Sequence, residues 1–345
     1  MVGMISSSRV LFGTMNFAWN QASSYVDVAV ASEMLRKFAA AGGTKLDTAR
    51  IYAGGATEPM VEAAMTAVPG DWKLGTKAHP SQEGGVGTAG LEMQLAASKT
   101  AMGHRHFAEY YLHQPDPEHA LLESLEAATA LRDAGAFTAL GMSNYHASEV
   151  ARCFDLCEKH GFAKPTVYQG LYNPLNRAVE DELLPLLKAN GCAFIAYNPL
   201  AAGLLTGAHA SVDVVAEGRF KDNPNYLPRF YTAANFEAVG AIRGACDAAG
   251  VSMVAATYKW LLRHSALGAD DGVLLGASTL AQLDANLDAC REGGDDLPAS
   301  VVESLDGAWD ITRDGAFPYW RSYSADMPGR DGLDPGASYD AAKKK

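Results

Sequence analysis

Four residues in the first third of the chain carry side chains that together can transfer a proton: Asp47, Tyr52, Lys77 and His113. A Tyr hydroxyl beside a Lys ammonium has a lowered pKa, because the positive charge stabilises the phenolate. A carboxylate such as Asp47 keeps that Lys charged and in place. These groups suit the protonation of an oxygen that gains negative charge when a carbonyl group is reduced.

Each of the four follows a short stretch with strand character. Lys77 ends the run 73–77, His113 ends the run 110–113, and Asp47 lies just before Tyr52 in the run 46–52. A Lys at the end of an apolar strand predicts a partner, because burying an unpaired ammonium is costly. We therefore expect Asp47 and Lys77 to pair from neighbouring strands.

Eight candidate strands alternate with amphipathic helices along the chain. The strands are predicted over 10–14, 44–48, 73–77, 109–113, 136–141, 166–170, 193–197 and 273–277. Helices are predicted between them over 29–41, 91–102, 118–134, 148–160, 179–190, 236–249 and 253–265. This alternation predicts an α/β fold with a parallel sheet, and eight strands predict a (β/α)8 TIM barrel as a single domain over 1–345. In such a barrel the carboxyl ends of the strands meet at one mouth, where active sites lie.

Two segments depart from this alternation. From residue 200 to about 235, after the seventh strand, the chain is rich in Gly, Pro, Asn, aromatic and basic residues. A loop of that length is usually functional. The stretch from about 310 to 345 lacks periodicity, and we expect it to be an extended segment packed on or trailing from the barrel.

Composition narrows the class of partner. The formal net charge of −12 argues against nucleic acid or an anionic membrane surface, and a small molecule is the expected partner. The five cysteines are scattered and odd in number, which predicts buried thiols in a reducing compartment. We read no signal peptide and no membrane-spanning run, so a cytoplasmic location is expected.

One glycine pattern resembles a dinucleotide-binding fingerprint. It spans residues 85–90, Gly-Val-Gly-Thr-Ala-Gly. The fingerprint requires its glycines directly after a strand, whereas residues 78–84 intervene here. We interpret this segment as a loop before a helix.

Longer motifs carry a resemblance to a known family. The run 46–58, with Asp47, Tyr52, Gly55 and Glu58, and the run 141–145, Gly-Met-Ser-Asn-Tyr, resemble the aldo-keto reductases. The runs 166–173 and 197–207, and Pro-Tyr-Trp-Arg at 318–321, resemble the aflatoxin aldehyde reductase branch in particular. The resemblance extends over nearly the whole chain and implies NADPH-dependent reduction of aldehydes without a metal ion.

The resemblance implies a role for each matching residue. Tyr52 is implied as the general acid, tuned by Lys77 and Asp47, with His113 orienting the carbonyl. Residues implied to bind the nicotinamide end of the cofactor are Ser143, Asn144, Gln169 and Tyr197. Residues implied along the pyrophosphate are Asn198, Pro199, Leu200, Gly203 and Arg219. Residues implied at the adenosine end are Gly276, Ser278, Gln282 and Asn286. Ala208 departs from the family, which commonly has a basic residue there, and Lys221 or Arg219 could compensate.

The resemblance also implies a substrate site. Arg229 and Arg321 are suited to a substrate carboxylate, which favours short carboxy-aldehydes such as succinic semialdehyde. The alternative for Arg321 is that it only ties down the C-terminal segment. Met15 and Trp19 would form an apolar mouth that also admits aromatic aldehydes and dicarbonyls. The branch is often dimeric, so a homodimer is expected.

Two other functions stay open at this point. A related branch serves as a channel-associated regulatory subunit that senses redox state through bound nucleotide. A sugar-phosphate aldolase or isomerase on the same barrel is the weaker alternative, because it gives no reason for the motifs around Tyr197 and Ser278.

Overall fold

The computed structural model of the chain describes residues 3–209, 211–215 and 219–337, and it contains a closed eight-stranded barrel. Each strand pairs in parallel with the next strand along the chain, and the last pairs with the first. The strands are β1 (Val10–Gly13), β2 (Lys45–Asp47), β3 (Lys73–Ala78), β4 (Phe107–Leu112), β5 (Phe137–Ser143), β6 (Val167–Leu171), β7 (Ala193–Tyr197) and β8 (Gly272–Leu275). The predicted (β/α)8 barrel and its eight strands are confirmed.

Helices surround the barrel and connect its strands. They are α1 (Val28–Ala40), α2 (Thr57–Ala67), α3 (Thr88–Ala101), α4 (Leu121–Asp133), α5 (Ala147–His160), α6 (Leu183–Ala189), α7 (Leu227–Phe230), α8 (Ala233–Ala249), α9 (Met253–Arg263), α10 (Leu280–Ala289) and α11 (Ala299–Thr312). The helix predicted over 179–190 begins later, at Leu183. Pro185 explains this start, because a proline fits the first turn of a helix but blocks its extension toward the N-terminus.

The two irregular segments contain more structure than predicted. Between β7 and α8 lie a 3-10 segment (Ala201–Thr206) and α7, and α8 already begins at Ala233, where the Thr232 side chain caps it. At the C-terminal end, α11 continues to Thr312, so the predicted extended segment starts after that residue. Its last part, 338–345, lies outside the described residues.

The hydrophobic core has two parts. A large cluster fills the space between strands and helices and includes Trp260, Tyr110 and Phe38. A smaller cluster plugs the barrel interior with Leu11, Tyr111, Val167, Ile195 and Leu274. All five cysteines are buried with free thiols. Because this plug fills the barrel interior, a site is expected at the carboxyl ends of the strands and not inside the barrel.

The register of the barrel aligns polar residues at its mouth. Asp47 is level with Gly13 on one side and Gly75 on the other, and Ser143 is level with Gln169. Gly141 leaves room for the Tyr111 ring of the neighbouring strand, because a Cβ added at Gly141 would lie 2.3 Å from that ring. The Tyr111 ring therefore lies flat against β5 beneath the mouth.

Within the described residues, no single helix is long and apolar enough to cross a membrane. The helices α8 and α9 are long and apolar enough only when taken together, and a bend of 100° separates them.

Candidate active site

A buried ion pair lies at the centre of the barrel mouth. The Lys77 ammonium is 2.6 Å from both carboxylate oxygens of Asp47, and it also donates to the Thr48 carbonyl at 2.8 Å. The Lys77 side chain is fully buried. Burial lowers the pKa of Lys77, and the Asp47 carboxylate opposes that shift. Parallel pairing of β2 with β3 brings the two residues together, as the sequence predicted.

Tyr52 lies beside this pair. Its hydroxyl oxygen is 3.4 Å from the Lys77 nitrogen, and the ammonium also lies 5.2 Å from the centre of the Tyr52 ring. An ammonium has three N–H groups. Four acceptor atoms surround it: the two Asp47 carboxylate oxygens, the Thr48 carbonyl and the Tyr52 hydroxyl. Its three N–H groups are shared among them, and the contact with the phenol oxygen is the longest.

A tight turn after β2 holds Tyr52 in place. The residues that follow it, Ala53 and Gly54, adopt left-handed backbone angles, and Gly55 has a φ of 94°. A side chain at Gly55 would collide with the Arg50 guanidinium. Arg50 forms an ion pair with Glu58, a fully buried carboxylate that also accepts a hydrogen bond from Thr76 at 2.8 Å. Glu58 thus ties α2 and β3 to the turn that carries Tyr52.

Two histidine rings continue the site beyond Tyr52. The His113 ring meets the Tyr52 ring edge to face with centroids 5.8 Å apart, and His79 packs against His113 at 5.1 Å in the same way. Burial lowers the pKa of His113 well below its ordinary value, and the nearby His79, Lys77 and Arg321 lower it further. Burial likewise lowers the pKa of His79 to about 4. Both rings are therefore neutral at neutral pH.

The ends of β5, β6 and β7 bring amide and hydroxyl groups to the same mouth. The Asn144 amide donates to the His113 carbonyl at 2.8 Å and to the Ser143 hydroxyl at 2.9 Å. Tyr197 donates its hydroxyl proton to Asn144 Oδ1 at 2.8 Å. Gln169 donates to Asp47 Oδ1 at 2.9 Å. Asn144, Ser143 and Tyr197 thus form one hydrogen-bonded cluster, and Gln169 extends the Lys77–Asp47 pair.

The chain leaves β7 through an unusual backbone segment. Asn198, Ala201, Ala202 and Gly203 all have positive φ angles, and three of them carry side chains that disfavour this conformation. The Asn173 amide holds the Asn198 carbonyl at 3.0 Å. Pro199 and Leu200 lie within this turn. Such strained backbone is typical of functional sites, and successive N–H groups in this conformation can bind an anion.

A second polar cluster lies after β8. The Ser278 hydroxyl is 2.5 Å from the Ser23 hydroxyl, and Gln282 accepts hydrogen bonds from both the backbone and the hydroxyl of Ser278. The buried Asn286 amide donates to the Gly276 carbonyl at 2.9 Å and so fixes the loop from below.

Aromatic residues from two loops face each other across another edge of the mouth. The guanidinium of Arg219 packs against the rings of both Trp19 and Tyr226, 5.3 and 5.4 Å from their centres, and donates to Asn16 at 2.6 Å. The Tyr226 hydroxyl is 4.0 Å from the Met15 sulfur. Arg219 thus contacts the predicted substrate residue Trp19 directly, and Tyr226 links it to Met15.

The two remaining predicted substrate residues converge on the C-terminal segment. Arg229 and Arg321 each donate to the carbonyl oxygen of Ala337 at 2.9 Å. The Arg321 backbone N–H donates to the Asn144 carbonyl at 3.0 Å, which ties this pair to the network at the mouth.

A sequence model described as Aldo/keto reductase family matches residues 9–310. The chain belongs to this family. Aldo/keto reductases are oxidoreductases that act on carbonyl groups with a nicotinamide cofactor, which makes this chain an enzyme of that type.

Individual aldo/keto reductases resemble the chain over most of its length. Aflatoxin B1 aldehyde reductase member 2 of Rattus norvegicus is 36% identical over 311 residues, covering 86% of this chain and 84% of the relative. Aldo-keto reductase family 7 member A3 of Homo sapiens is 36% identical over 311 residues, covering 86% and 93%. Oxidoreductase sirO of Leptosphaeria maculans is 34% identical over 322 residues, covering 90% and 96%.

The site fits the nicotinamide cofactor that aldo/keto reductases use. The left-handed turn after β7 suits the negative charge of a diphosphate. The amides of Asn144 and Gln169 suit a carboxamide, and hydroxyl and amide groups at Ser278 and Gln282 suit a ribose or phosphate. Ala208, at the position where the family commonly has a basic residue, is exposed and brings no charge to this turn.

Three residues of this aldo/keto reductase site were not predicted from the sequence. His79 directly follows β3, which ends at Ala78. A predicted strand over 73–78 instead of 73–77 would have placed His79 at the barrel mouth. Tyr226 lies in the irregular loop, where no pattern marks it. Ala337 takes part through a backbone carbonyl, which side-chain motifs cannot reveal.

Proposed function

We propose that this aldo/keto reductase reduces aldehydes to alcohols with NADPH, and that Tyr52 donates the proton. The observation that carries the proposal is the buried chain of contacts from Asp47 through Lys77 to the Tyr52 hydroxyl. When bound, the cofactor supplies a hydride to the carbonyl carbon. The protein must then supply a proton to the oxygen and stabilise the charge that proton transfer leaves behind.

The ion pair prepares Tyr52 for this transfer. As the carbonyl oxygen gains charge, the Tyr52 O–H bond breaks and the proton moves to that oxygen. The phenolate left on Tyr52 lies beside the Lys77 ammonium, which stabilises it electrostatically. Asp47 keeps Lys77 charged despite its burial. A proton from water then restores the Tyr52 hydroxyl.

His113 acts as a positioning group for the carbonyl oxygen. Because its pKa is lowered well below the ordinary value, its ring is neutral and does not compete with Tyr52 as an acid. A neutral imidazole has one N–H, which can donate a hydrogen bond to the carbonyl oxygen. The edge contact with Tyr52 places the two rings around one point.

The cofactor roles follow the family resemblance. Ser143, Asn144 and Gln169 would hold the carboxamide, and Tyr197 would stack on the nicotinamide ring. Residues for the phosphates would be Asn198, Pro199, Leu200, Gly203 and Arg219, and residues for the adenosine end would be Gly276, Ser278, Gln282 and Asn286. A hydroxyl at Ser278 suits the 2′-phosphate that distinguishes NADPH from NADH.

The proposed substrates are aldehydes of two kinds. Several relatives are named as aflatoxin B1 aldehyde reductases, which supports aldehydes as the class. Two guanidinium groups at Arg229 and Arg321 suit a carboxylate, as in succinic semialdehyde. The aromatic edge around Met15, Trp19 and Tyr226 suits uncharged aromatic aldehydes and dicarbonyls.

The substitution Tyr52→Phe tests the proposal. It removes the proton donor and leaves the ring, so we expect NADPH oxidation with an aromatic aldehyde to fall by about a hundredfold or more. The Kd for NADPH, measured by fluorescence titration, should stay near the wild-type value. Tyr25→Phe makes the same chemical change at an exposed tyrosine and should alter neither quantity. Wild-type turnover in Tyr52→Phe, or a wild-type enzyme that oxidises no NADPH with any aldehyde, would refute the function.

A further inference from the structure

The Lys77 ammonium has a further neighbour inside the barrel. Its nitrogen lies over the ring of Tyr111, 5.5 Å from the ring centre. Tyr111 is fully buried and belongs to the apolar cluster that plugs the barrel. A cation over the face of an aromatic ring is attracted by the negative charge of the π-electrons, and more strongly where water is excluded. The Tyr111 ring therefore adds to the support that Asp47 gives the Lys77 charge.

The hydroxyl of Tyr111 binds a carboxyl group. It donates a hydrogen bond to Glu109 Oε2 at 2.6 Å. Glu109 and Tyr111 alternate with Tyr110 along β4, so both side chains leave the strand on the same face. A hydroxyl that donates to a carboxylate is polarised, which increases the electron density of its ring. The negative charge of Glu109 thus acts on Lys77 both directly and through the Tyr111 ring.

Two glycines in the neighbouring strands leave room for this pair of side chains. Gly75 of β3 is level with Glu109, and Gly141 of β5 is level with Tyr111. A Cβ at Gly75 would lie 3.2 Å from Glu109 Oε2, and one at Gly141 would lie 2.3 Å from the Tyr111 ring. Glycine inside a strand often marks such a close approach. Both strands that flank β4 thus accommodate an acidic group and an aromatic ring beneath the site.

The charged groups that act on Glu109 come from β2 and β3. Burial raises the pKa of Glu109, whereas the Tyr111 hydrogen bond and the charges of Lys45 and Lys77 oppose that rise. The Asp47 carboxylate adds to it. Conversely, burial lowers the pKa of Lys77, and Asp47 and Glu109 both oppose that shift. Glu109 therefore supports the charge of Lys77 in addition to Asp47.

We infer that Glu109 and Tyr111 are positioning residues for proton transfer, which from within the barrel keep the Lys77 ammonium charged and beside the Tyr52 hydroxyl. The inference rests on the proposed function, in which the Lys77 charge stabilises the Tyr52 phenolate. Tyr111 is fully buried, so the pair acts through Lys77 and not on the substrate. Proton transfer should depend on Glu109 and Tyr111, and binding of the aldehyde and of NADPH should not.

Glu109→Gln in the full-length chain tests the role of the charge. The amide keeps an acceptor for the Tyr111 hydroxyl but is neutral. Loss of a nearby negative charge lowers the pKa of whichever member of the Lys77–Tyr52 pair loses its proton first. The single-turnover rate of NADPH oxidation with an aromatic aldehyde should therefore begin to fall at a pH lower by about half a unit. Measured from pH 6 to 10, the rate should be about threefold below wild type at the alkaline end and converge with it at the acidic end.

Tyr111→Phe tests the link between Glu109 and Lys77. It keeps the buried ring and removes the hydroxyl that binds Glu109, so the fall in rate should again move to lower pH. Combined with Glu109→Gln, it should move the fall by less than the sum of the two single shifts, because the residues act as a unit. The matched control is Tyr110→Phe, since this fully buried tyrosine of the same strand donates instead to the Leu91 carbonyl of α3 at 3.1 Å.

The Kd for NADPH and the KM for the aldehyde should stay near the wild-type values in every variant, and thermal unfolding checks that each is folded. A purely structural role would lower the rate equally at all pH values. That result in Glu109→Gln or Tyr111→Phe, additive shifts in the combined variant, or the same shift in Tyr110→Phe would overturn the inference and leave the proposed function intact. Absence of aldehyde-dependent NADPH oxidation in the wild type would overturn the proposed function and this inference with it.

Discussion

At the scale of single residues, the site depends on Lys77, a charged side chain that water does not reach. Its ammonium keeps its charge because the Asp47 carboxylate and the Thr48 carbonyl surround it. A buried ion pair contributes little net stability compared with apolar residues of similar volume, because both charges lose their hydration. The pair is therefore better explained by its contact with the Tyr52 hydroxyl than by stability.

The substitution Lys77→Met separates these two roles. It leaves the Asp47 carboxylate buried without its counter-charge, so we expect a loss of about 3 to 5 kcal/mol in the free energy of unfolding. Adding Asp47→Asn removes that charge and should restore most of the stability, measured by urea unfolding. Turnover should stay abolished in both variants. Recovery of aldehyde reduction in the double variant would show that Lys77 acts only on stability.

At the scale of elements, α5 and residues 322–336, the C-terminal loop, are joined through a buried carboxyl group. Glu149 of α5 is fully buried and accepts a hydrogen bond from the Ser324 N–H at 2.9 Å. Its other carboxyl oxygen has no hydrogen-bond partner among the described residues. Burial raises the pKa of Glu149 to about 7, although Ser324 and Arg152 oppose the shift. The folded state therefore favours the protonated form.

The contribution of Glu149 to the free energy of unfolding should decrease as the pH rises. In the unfolded chain Glu149 loses its proton near its ordinary pKa, whereas in the folded chain it keeps the proton up to about pH 7. Folded protein thus binds more protons between these values, so the free energy of unfolding falls across that window. The contribution of Glu149 to this fall should be roughly 2 to 3 kcal/mol between pH 5 and pH 8.

Glu149→Gln tests this pH dependence. The amide keeps an acceptor for Ser324 but cannot ionise, so urea unfolding should show the variant gaining stability relative to wild type as the pH rises from 5 to 8. Glu158→Gln, at an exposed position of the same helix, should run parallel to wild type. A constant difference between Glu149→Gln and wild type at both pH values would contradict the predicted protonation.

At the scale of the whole molecule, the site is built from the exits of seven strands, β2 to β8, and the loop after β1 closes it. Ser23 from the first loop contacts Ser278 after β8, and Asn16 contacts Arg219 in the loop after β7. A dinucleotide lying across these exits would contact elements from both ends of the chain. Its binding should therefore stabilise the fold as a unit.

Thermal unfolding in the presence of added cofactor measures this stabilisation. A ligand that binds only the folded state at a concentration of 100 Kd adds about 2.7 kcal/mol to the free energy of unfolding. We expect NADPH to raise the Tm in a concentration-dependent manner and NADH to do so less at equal concentration. Ser278→Ala should reduce the advantage of NADPH over NADH. Equal stabilisation by both nucleotides would argue against a 2′-phosphate contact at Ser278.

The local pattern of the sequence was enough to predict the barrel and its central pair. Eight strand-like runs were predicted, most of them separated by helices, and parallel strands present their carboxyl ends at one mouth, so Asp47, Lys77 and His113 were expected to meet there. The predicted helix over 179–190 began too early because the effect of Pro185 was overlooked. The helices α2, α7, α10 and α11 were not among the predicted ones.

The tertiary structure alone decided which groups surround the reacting position. The Lys77 ammonium lies beside the Tyr52 hydroxyl because Asp47 and the Thr48 carbonyl hold it there, and a main-chain acceptor has no sequence signature. Arg219 packs against both Trp19 and Tyr226 because two loops far apart in sequence meet over the mouth. The contact of Ala337 with Arg229 and Arg321 likewise depends on how the C-terminal loop closes. Residue type determined the chemistry that is available, and long-range packing determined which partner each group contacts.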